Sequence, residues 1–289
     1  MRASLIVDLA LALVLVACAP KAPDAATPSA ASPRVVSVAP AITAIVRAVG
    51  GDAHLVGVTS WCDAPGVPVI GDLKPRPEAV LAARPDVVWM AGYGSQSPDA
   101  AALAALGLQV ETLPLVTLGD MLATTRTIGL RLGRGPAGAA LVQAFEAARA
   151  EALGLRGDAA PVKVLVVYDV QPGFVITTGG GDHIMELLEL AGAKNVATGP
   201  LTLRLGLEAV LAAAPELILH VAPDTRFPDS EAARTHWATW AELPAVRRGE
   251  VHVYPGDGLA RNGPHLSEVL PRLSQLVQHA RQSRDAERR

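Results

Sequence analysis

The sequence is poor in aromatic residues, which make up 3% of its 289 positions, so each aromatic side chain has to be placed individually. It contains two cysteines, Cys18 and Cys62. The net charge is −3 and lysine and arginine form no run, which argues against a nucleic-acid-binding surface. Half of the residues are hydrophobic, enough for sizeable cores, and the length suggests about two domains.

Catalytic motifs are missing as well. No GxSxG, HExxH or CxxC pattern occurs, and the seven histidines lack the spacing of metal ligands. The TTGGG turn at 177–181 lacks the lysine of a P-loop. His183 follows this turn at a predicted helix start, where it either caps the helix or contacts a ligand. We therefore predict no enzyme, no catalytic cofactor and no resident metal site.

The N-terminus has the pattern of a targeting segment. Arg2 precedes an apolar run that ends at Cys18 and is too short for a comfortable membrane span. LVAC at 15–18 resembles a bacterial lipobox, so we predict a lipoprotein signal peptide over 1–18 and a lipid anchor on Cys18. An ordinary cleaved signal peptide is the alternative. Either leader directs the protein to the periplasm or another extracytoplasmic surface.

Residues 19–33 are rich in proline, alanine and serine and have no apolar periodicity, which predicts a disordered tether. A tether fits a folded domain held away from a membrane. If Cys18 is lipidated, Cys62 has no partner for an intramolecular disulfide. The identity of the membrane stays open.

Strand-like and helical segments alternate on both sides of a mainly helical stretch. This alternation predicts an α/β fold with mainly parallel sheets. We assign two Rossmann-like lobes, over 34–117 and 158–289, joined by a long backbone α-helix over 118–157. The GRGP sequence at 133–136 is expected to interrupt that helix.

One phrase occurs twice, as EAVLAARPDVV at 78–88 and as EAVLAAAPELI at 208–218. In both copies a short predicted helix ends at a Pro–acid pair and leads into a buried strand. This predicts the same structural unit in each lobe. Glu78 and Glu208 begin the two helices, where the helix dipole stabilises a carboxylate.

Several phrases together resemble the periplasmic binding proteins of ABC importers that have a rigid backbone helix and carry vitamin B12, haem or ferric siderophores. The phrases are RVVSVAPAITAIVRAVG, LVGVTSWCDAPGVPVIGD, EAVLAARPDVVWMAG, LLELAGAKNVA and EAVLAAAPELILHVA. The resemblance covers roughly residues 34–280. It implies a monomer that binds a macrocyclic ligand between its lobes and closes little. It also implies an ABC permease dimer with its ATPases as partner, docked through Glu78 and Glu208.

Within this family the motifs are most similar to those of the vitamin B12-binding members. The SxxDxP motif places Trp61 after the second strand, PGF places Phe174 in a turn of the second lobe, and the last loop carries Asp257 and Arg261. The resemblance therefore implies a corrinoid ligand, cobalamin or cobinamide. Asp72 stands where haem-binding members usually have a tyrosine. Haem or a ferric siderophore remains the alternative ligand.

The residues themselves agree with a flat ligand. Trp61, Tyr93 and Phe174 lie after or at the end of predicted strands, where loops of α/β sheets bind ligands. Aromatic faces suit a macrocycle, and Asp257 and Arg261 can hydrogen-bond to its polar edges. Ordinary packing is the alternative for each ring. An enzyme or a metal-sensing lipoprotein on the same scaffold is the alternative function.

Overall fold

The computed structural model describes residues 33–72, 74–92, 97–200, 202–221, 227–254 and 258–289. The signal peptide predicted over 1–18, its Cys18 and nearly all of the predicted tether lie outside these residues. The lipid anchor therefore stays a prediction, as do the boundaries assigned to the lobes.

The N-terminal lobe is built on a five-stranded parallel sheet with the order β3-β2-β1-β4-β5. Its strands are β1 (Val35–Ser37), β2 (Leu55–Thr59), β3 (Val69–Gly71), β4 (Val87–Gly92) and β5 (Val110–Pro114). Its helices are α1 (Pro40–Ala48), α2 (Pro77–Ala82) and α3 (Pro98–Ala105). Alternate residues of the central strands enter different hydrophobic clusters, Val87 and Trp89 on one face and Val88 and Met90 on the other. Both faces of this sheet are therefore buried, as expected for a parallel sheet.

Two helices follow, α4 (Leu118–Arg131) and α5 (Gly135–Arg156). The predicted interruption near 133–136 is confirmed. The helices pack closely where two glycines meet, because a Cβ atom on Gly129 would lie 3.1 Å from the Cα atom of Gly138. With its 22 residues, α5 is the long backbone helix and extends about 33 Å.

The C-terminal lobe contains two sheets. Its strands are β6 (Val162–Val167), β7 (Asp169–Gln171), β8 (Phe174–Thr177), β9 (Ala193–Asn195), β10 (Leu203–Gly206), β11 (Leu217–His220) and β12 (Val251–Val253). Its helices are α6 (His183–Leu190), α7 (Leu207–Ala213), α8 (Ser230–Trp237), α9 (Pro244–Arg247) and α10 (Leu266–Glu287). A parallel sheet has the order β12-β11-β6-β9, and an antiparallel sheet has the order β10-β8-β7. The α/β prediction is confirmed, whereas the antiparallel sheet was not predicted.

The repeated phrase forms the same structure in both lobes. The Asp86 backbone N–H donates to the Arg34 carbonyl at 2.8 Å, and the Glu216 N–H donates to the Lys163 carbonyl at 2.7 Å. In return, the Arg34 N–H donates to the Asp86 carboxylate at 2.7 Å, and the Lys163 N–H donates to the Glu216 carboxylate at 3.1 Å. The acid of each Pro–acid pair thus ties its strand to the neighbouring first strand of the sheet.

One hydrophobic cluster extends from the N-terminal sheet to the parallel C-terminal sheet. Val35 of β1, Phe145 of α5, Val164 of β6 and Leu273 of α10 all belong to it. Close packing in such an interior transmits strain and resists deformation. The two lobes therefore share a core through their connecting helices, which opposes large movements between them.

Glu250 anchors the C-terminal helix to the sheet. Its fully buried carboxylate lies 3.1 Å from His252 Nε2 and 2.9 Å from His279 Nδ1, and it accepts a hydrogen bond of 2.6 Å from the Ser283 hydroxyl. Burial alone would raise the pKa of Glu250, but the bonds from His252, Ser283 and His279 outweigh it and hold this pKa below its ordinary value. His279 and Ser283 lie in α10, so these bonds join α10 to the start of β12.

Replacing Glu250 by glutamine is expected to destabilise the protein by about 2 kcal/mol at pH 7, because hydrogen bonds to a charged group are lost. A depressed folded-state pKa stabilises the protein above the unfolded pKa of about 4.3, and this contribution disappears as pH falls through the folded value. Urea unfolding at pH 7, 5 and 3.5 measures the difference, with the exposed Glu151→Gln on α5 as control. A difference between wild type and Glu250→Gln that is constant over this range would contradict the prediction.

Candidate functional site

The carboxyl ends of the parallel strands define the candidate site. Because the five N-terminal strands run parallel, the residues that follow them lie at one edge of that sheet. Trp61 follows β2 and Asp72 follows β3 at this edge. In the parallel C-terminal sheet, Tyr168 follows β6, and Arg261 lies in the loop after β12. Open α/β sheets bind ligands at this edge, where the strand order reverses, here between β1 and β4 and between β6 and β11.

The two carboxyl edges meet across the connection that follows β5. The buried Asn262 side chain, in the loop after β12, donates to the Leu115 carbonyl at 3.0 Å and to the Thr117 carbonyl at 3.2 Å. The backbone N–H of His183, at the start of α6, donates to the Val116 carbonyl at 3.1 Å. These bonds bring the two carboxyl edges together, and the space between the edges, called the crevice below, is the candidate site.

Trp61 is an exposed aromatic residue with a fixed ring. The residue is 59% exposed, and its Nε1 donates to Asp72 Oδ1 at 2.9 Å. The Ser60 hydroxyl donates to the same carboxylate oxygen. Ser60 holds the Asp72 carboxylate, and this carboxylate holds the indole at the carboxyl edge, although more than half of the Trp61 surface is exposed. The predicted position of Trp61 after a strand is confirmed.

Phe174 lies directly after the turn formed by Pro172 and Gly173. It is the first residue of β8, in the antiparallel sheet, and it pairs with Gly206 at the end of β10. The half-buried ring has the Arg204 guanidinium 5.2 Å from its centroid, a cation–π distance. Phe174 thus begins a strand directly after a hairpin turn, and the PGF sequence indicated the turn but not the strand that follows it. Its contact with a ligand stays a prediction.

The predicted site residues are only partly brought together. Trp61 and Phe174, which both lie in the described part of the chain, make no ring contact with each other. Tyr93 and Asp257 lie outside the described residues, so their predicted contacts are not tested. Arg261 is half-buried in the loop that crosses to the N-terminal lobe, and its contact with a ligand stays a prediction.

Two histidines hold the loop that carries Arg261. His265 Nε2 donates to the Gly258 carbonyl at 2.7 Å, and His183 Nε2 donates to the Leu259 carbonyl at 3.1 Å. Burial lowers the pKa of His183, which outweighs the opposing effects of Asp182 and the Leu259 carbonyl. At pH 7 the His183 ring is therefore neutral. These bonds give His183 a role in fixing the loop.

Glu78 and Glu208 occupy equivalent positions on the two lobes. Each lies exposed in the first turn of a helix that leads into a parallel strand, α2 before β4 and α7 before β11. The helix α2 connects the parallel strands β3 and β4 and therefore begins near the carboxyl edge of its sheet, whereas α7 follows β10 of the antiparallel sheet. Both carboxylates are exposed at these helix starts, one on each lobe, and the helix starts are called the rims below.

Comparison with known proteins identifies the family. Residues 35–257, well over half of the chain, match the periplasmic binding protein family. The chain belongs to the periplasmic binding protein family. Membership implies a periplasmic or other extracytoplasmic location.

Curated and solved members agree with this assignment. The chain is 25% identical over 263 residues to the vitamin B12-binding protein of Pectobacterium atrosepticum, covering 84% of this chain and 89% of the relative. The structure of the vitamin B12-binding protein BtuF of Vibrio cholerae matches with a TM-score of 0.73 at 22% identity, covering 86% and 97%. The haem-binding protein HutB of Vibrio cholerae matches with a TM-score of 0.74 at 19% identity, covering 85% and 98%. At these identities the two structures establish the fold alone.

Among the described residues, this periplasmic binding protein has no group of three His, Cys, Asp or Glu side chains arranged to hold a metal ion. Cys62 is a free cysteine. In the same residues, none of the helices combines the length and the apolar character that a membrane crossing requires.

Sequence reasoning missed Tyr168. It follows β6, beside the point where the strand order of the C-terminal sheet reverses. Burial, reinforced by the negative Asp182, raises the pKa of Tyr168 to about 12, against the opposing hydrogen bond with Thr178. Tyr168 is therefore a neutral hydrogen-bonding phenol at pH 7. The VVYD sequence at the end of a buried strand was the available signal.

Proposed function

We propose that this periplasmic binding protein captures a corrinoid, cobalamin or cobinamide, in the crevice between its lobes and delivers it unaltered to an ABC permease dimer. The observation that carries the proposal is the exposed indole of Trp61, held by Asp72 at the carboxyl edge. A fixed flat apolar face suits a flat macrocycle, which gains dispersion and apolar burial when it covers the ring. The similarity to a curated vitamin B12-binding protein supports this ligand class.

The other site residues have complementary roles in this proposal. Tyr93 and Phe174 supply further aromatic faces to the ligand. Asp257 and Arg261 hydrogen-bond to its polar edges, and such charge-assisted bonds give orientation. The bonds from His183 and Asn262 preorganise the loop of Arg261, which lowers the ordering cost of binding.

Delivery uses the rims of the same crevice. Glu78 and Glu208 lie on the two lobes at equivalent positions, so they fit a partner with two equivalent basic pockets, as a permease dimer and its ATPases would offer. Interfacial charges of this kind set orientation and association rate. The core shared by the lobes limits closure to a small motion. A lipid anchor on Cys18 keeps the monomer close to a membrane.

Calorimetric titration of the purified chain with cyanocobalamin, cobinamide, haemin and a ferric siderophore tests the proposal. We expect one-to-one binding of a corrinoid and recovery of the unaltered ligand. Absence of both heat and spectral change with either corrinoid would refute the ligand assignment. If only haemin or only the siderophore binds, the protein carries that alternative ligand and not a corrinoid. Chemical turnover of any of these ligands would indicate an enzyme.

A further inference from the structure

We propose that Asp72 positions Trp61 and, through its second carboxylate oxygen, selects ligands whose edges carry N–H donors over ligands whose edges carry carboxylates. The inference rests on the proposed function, because it concerns the ligand of the same crevice. It assigns a role to a residue that comes 11 positions after Trp61 and belongs to a different strand end.

The contact between Asp72 and Trp61 follows from the register of two neighbouring strands. In the pairing of β2 with β3, Thr59 lies opposite Gly71. Trp61 comes two residues after Thr59, and Asp72 directly follows Gly71. Both side chains therefore leave the sheet side by side at its carboxyl edge, where Trp61 Nε1 donates to Asp72 Oδ1 at 2.9 Å.

The backbone of Asp72 is itself held in place. The Ser60 N–H donates to the Gly71 carbonyl at 3.0 Å, and Gly71 forms an antiparallel bridge with Pro75. A Cβ atom on Gly71 would lie 2.1 Å from the Lys74 carbonyl oxygen, so only glycine fits in this tight turn. The backbone that carries the carboxylate is therefore held rigidly. The hydrogen bond to this carboxylate in turn restricts the movement of the indole.

The two carboxylate oxygens of Asp72 have different surroundings. Oδ1 accepts from both Ser60 and Trp61, while Oδ2 has no hydrogen-bond partner among the described residues. Asp72 also has no ion pair within those residues, whereas the Asp63 carboxylate lies 2.9 Å from Arg47 Nη1. Asp72 is exposed. Within the part of the chain that the structure describes, its negative charge is therefore uncompensated beside the edge of the Trp61 indole.

This charge distinguishes between the candidate cargoes. The edge of a corrin ring carries carboxamides, whose N–H groups can donate to Asp72 Oδ2 in a charge-assisted bond. Haem carries two propionate carboxylates, which would meet Asp72 as a like charge, and like-charge contacts discriminate against a ligand. Asp72 thus favours a corrinoid over haem, whereas the aromatic faces of Trp61, Tyr93 and Phe174 alone would accept either macrocycle.

Two substitutions in the full-length chain separate positioning from selection. Asp72→Ala removes both the acceptor and the charge, whereas Asp72→Asn keeps an oxygen that can accept from Ser60 and Trp61. Fluorescence anisotropy of the ligand-free protein reports indole mobility, with a Trp61→Phe sample subtracting the other three tryptophans. Calorimetry with cyanocobalamin and with haemin reports selection. Asp52→Asn, an exposed carboxylate before β2 and so at the opposite edge of the sheet, is the matched control.

We expect Asp72→Ala to increase indole mobility and to weaken cyanocobalamin binding by about tenfold, the effect of one lost bond to a charged group. Asp72→Asn should retain the anisotropy and raise haemin affinity relative to cyanocobalamin by about tenfold. Unchanged mobility in Asp72→Ala would overturn positioning, and an unchanged affinity ratio in Asp72→Asn would overturn selection. If wild type binds neither compound, the proposed function and the selection role both fail, while the anisotropy still decides whether Asp72 positions Trp61.

Discussion

Replacing Glu78 and Glu208 together by alanine is expected to reduce permease-dependent uptake by on the order of a hundredfold and to change ligand affinity by less than about twofold. Close charge pairs across an interface couple by about 1.5 kcal/mol or more, about tenfold each. Both carboxylates are exposed at the rims, so their loss does not disturb a core. Uptake of labelled cobalamin by cells and calorimetry on the purified variant measure the two quantities.

A matched control separates docking from helix stability. Glu231 and Glu268 are also exposed acids in the first turns of helices, α8 and α10, so Glu231→Ala with Glu268→Ala removes the same favourable interaction with helix dipoles. We expect this control to transport normally, and each single variant at Glu78 or Glu208 to lose about tenfold. Equal uptake by wild type and the Glu78/Glu208 variant would show that the two residues only stabilise the starts of their helices. A loss of ligand affinity would show that they contribute to ligand binding.

The repeated phrase allowed much of the fold to be predicted, because the residues at the end of each copy have local roles. Its Pro–acid pair ends a helix and begins a strand in each lobe. The residue before each proline even has the same unusual backbone, with φ of 45° at Arg84 and 47° at Ala214. Such a left-handed residue turns the chain sharply, and a following proline cannot continue the helix. Local chemistry of this kind can be recognised in the sequence.

The antiparallel sheet could not be recognised in the same way. The apolar sequence VKVLVVYD at 162–169 has the pattern of one continuous strand, but β6 ends at Val167, and the Tyr168 N–H donates to the Ile176 carbonyl of β8 at 2.8 Å. Alternating apolar residues fit either pairing equally well. The change of partner depends on the hairpin turn, where Gly173 has a φ of 87°. Phe174 directly follows this turn and begins β8.

The hydrogen bond between Trp61 and Asp72 in the candidate site could not be predicted from the sequence either. Trp61 could be proposed from its motif and its place after a strand, but its bond to Asp72 depends on the register between β2 and β3. The hydrophobic pattern helps to set register, but here the register of β2 and β3 shifts between Val58 and Thr59, and the alternation of side chains does not reveal such an irregularity. The sequence therefore indicated the residues of the crevice better than the bonds between them.

Replacing Trp61 by alanine is expected to weaken corrinoid binding by on the order of a hundredfold, because truncating a central aromatic anchor costs about 2–4 kcal/mol. Trp61→Phe retains a flat face but loses the bond to Asp72, so it should lose about tenfold. Calorimetric titration with cyanocobalamin measures both. Leu130→Ala, which removes a 72% exposed apolar side chain from α4, is the control and should bind normally.

The thermal stability of these variants decides how the result is interpreted. Since Trp61 is 59% exposed, its removal opens no core cavity, and the midpoint of thermal unfolding should stay within about 2 °C of wild type. Weak binding with an unchanged midpoint then locates the ligand on the indole. If Trp61→Ala binds cyanocobalamin like wild type, the ligand does not contact the indole of Trp61. The indole held by Asp72 would then have a role other than corrinoid binding, and the corrinoid assignment would lose its main supporting observation.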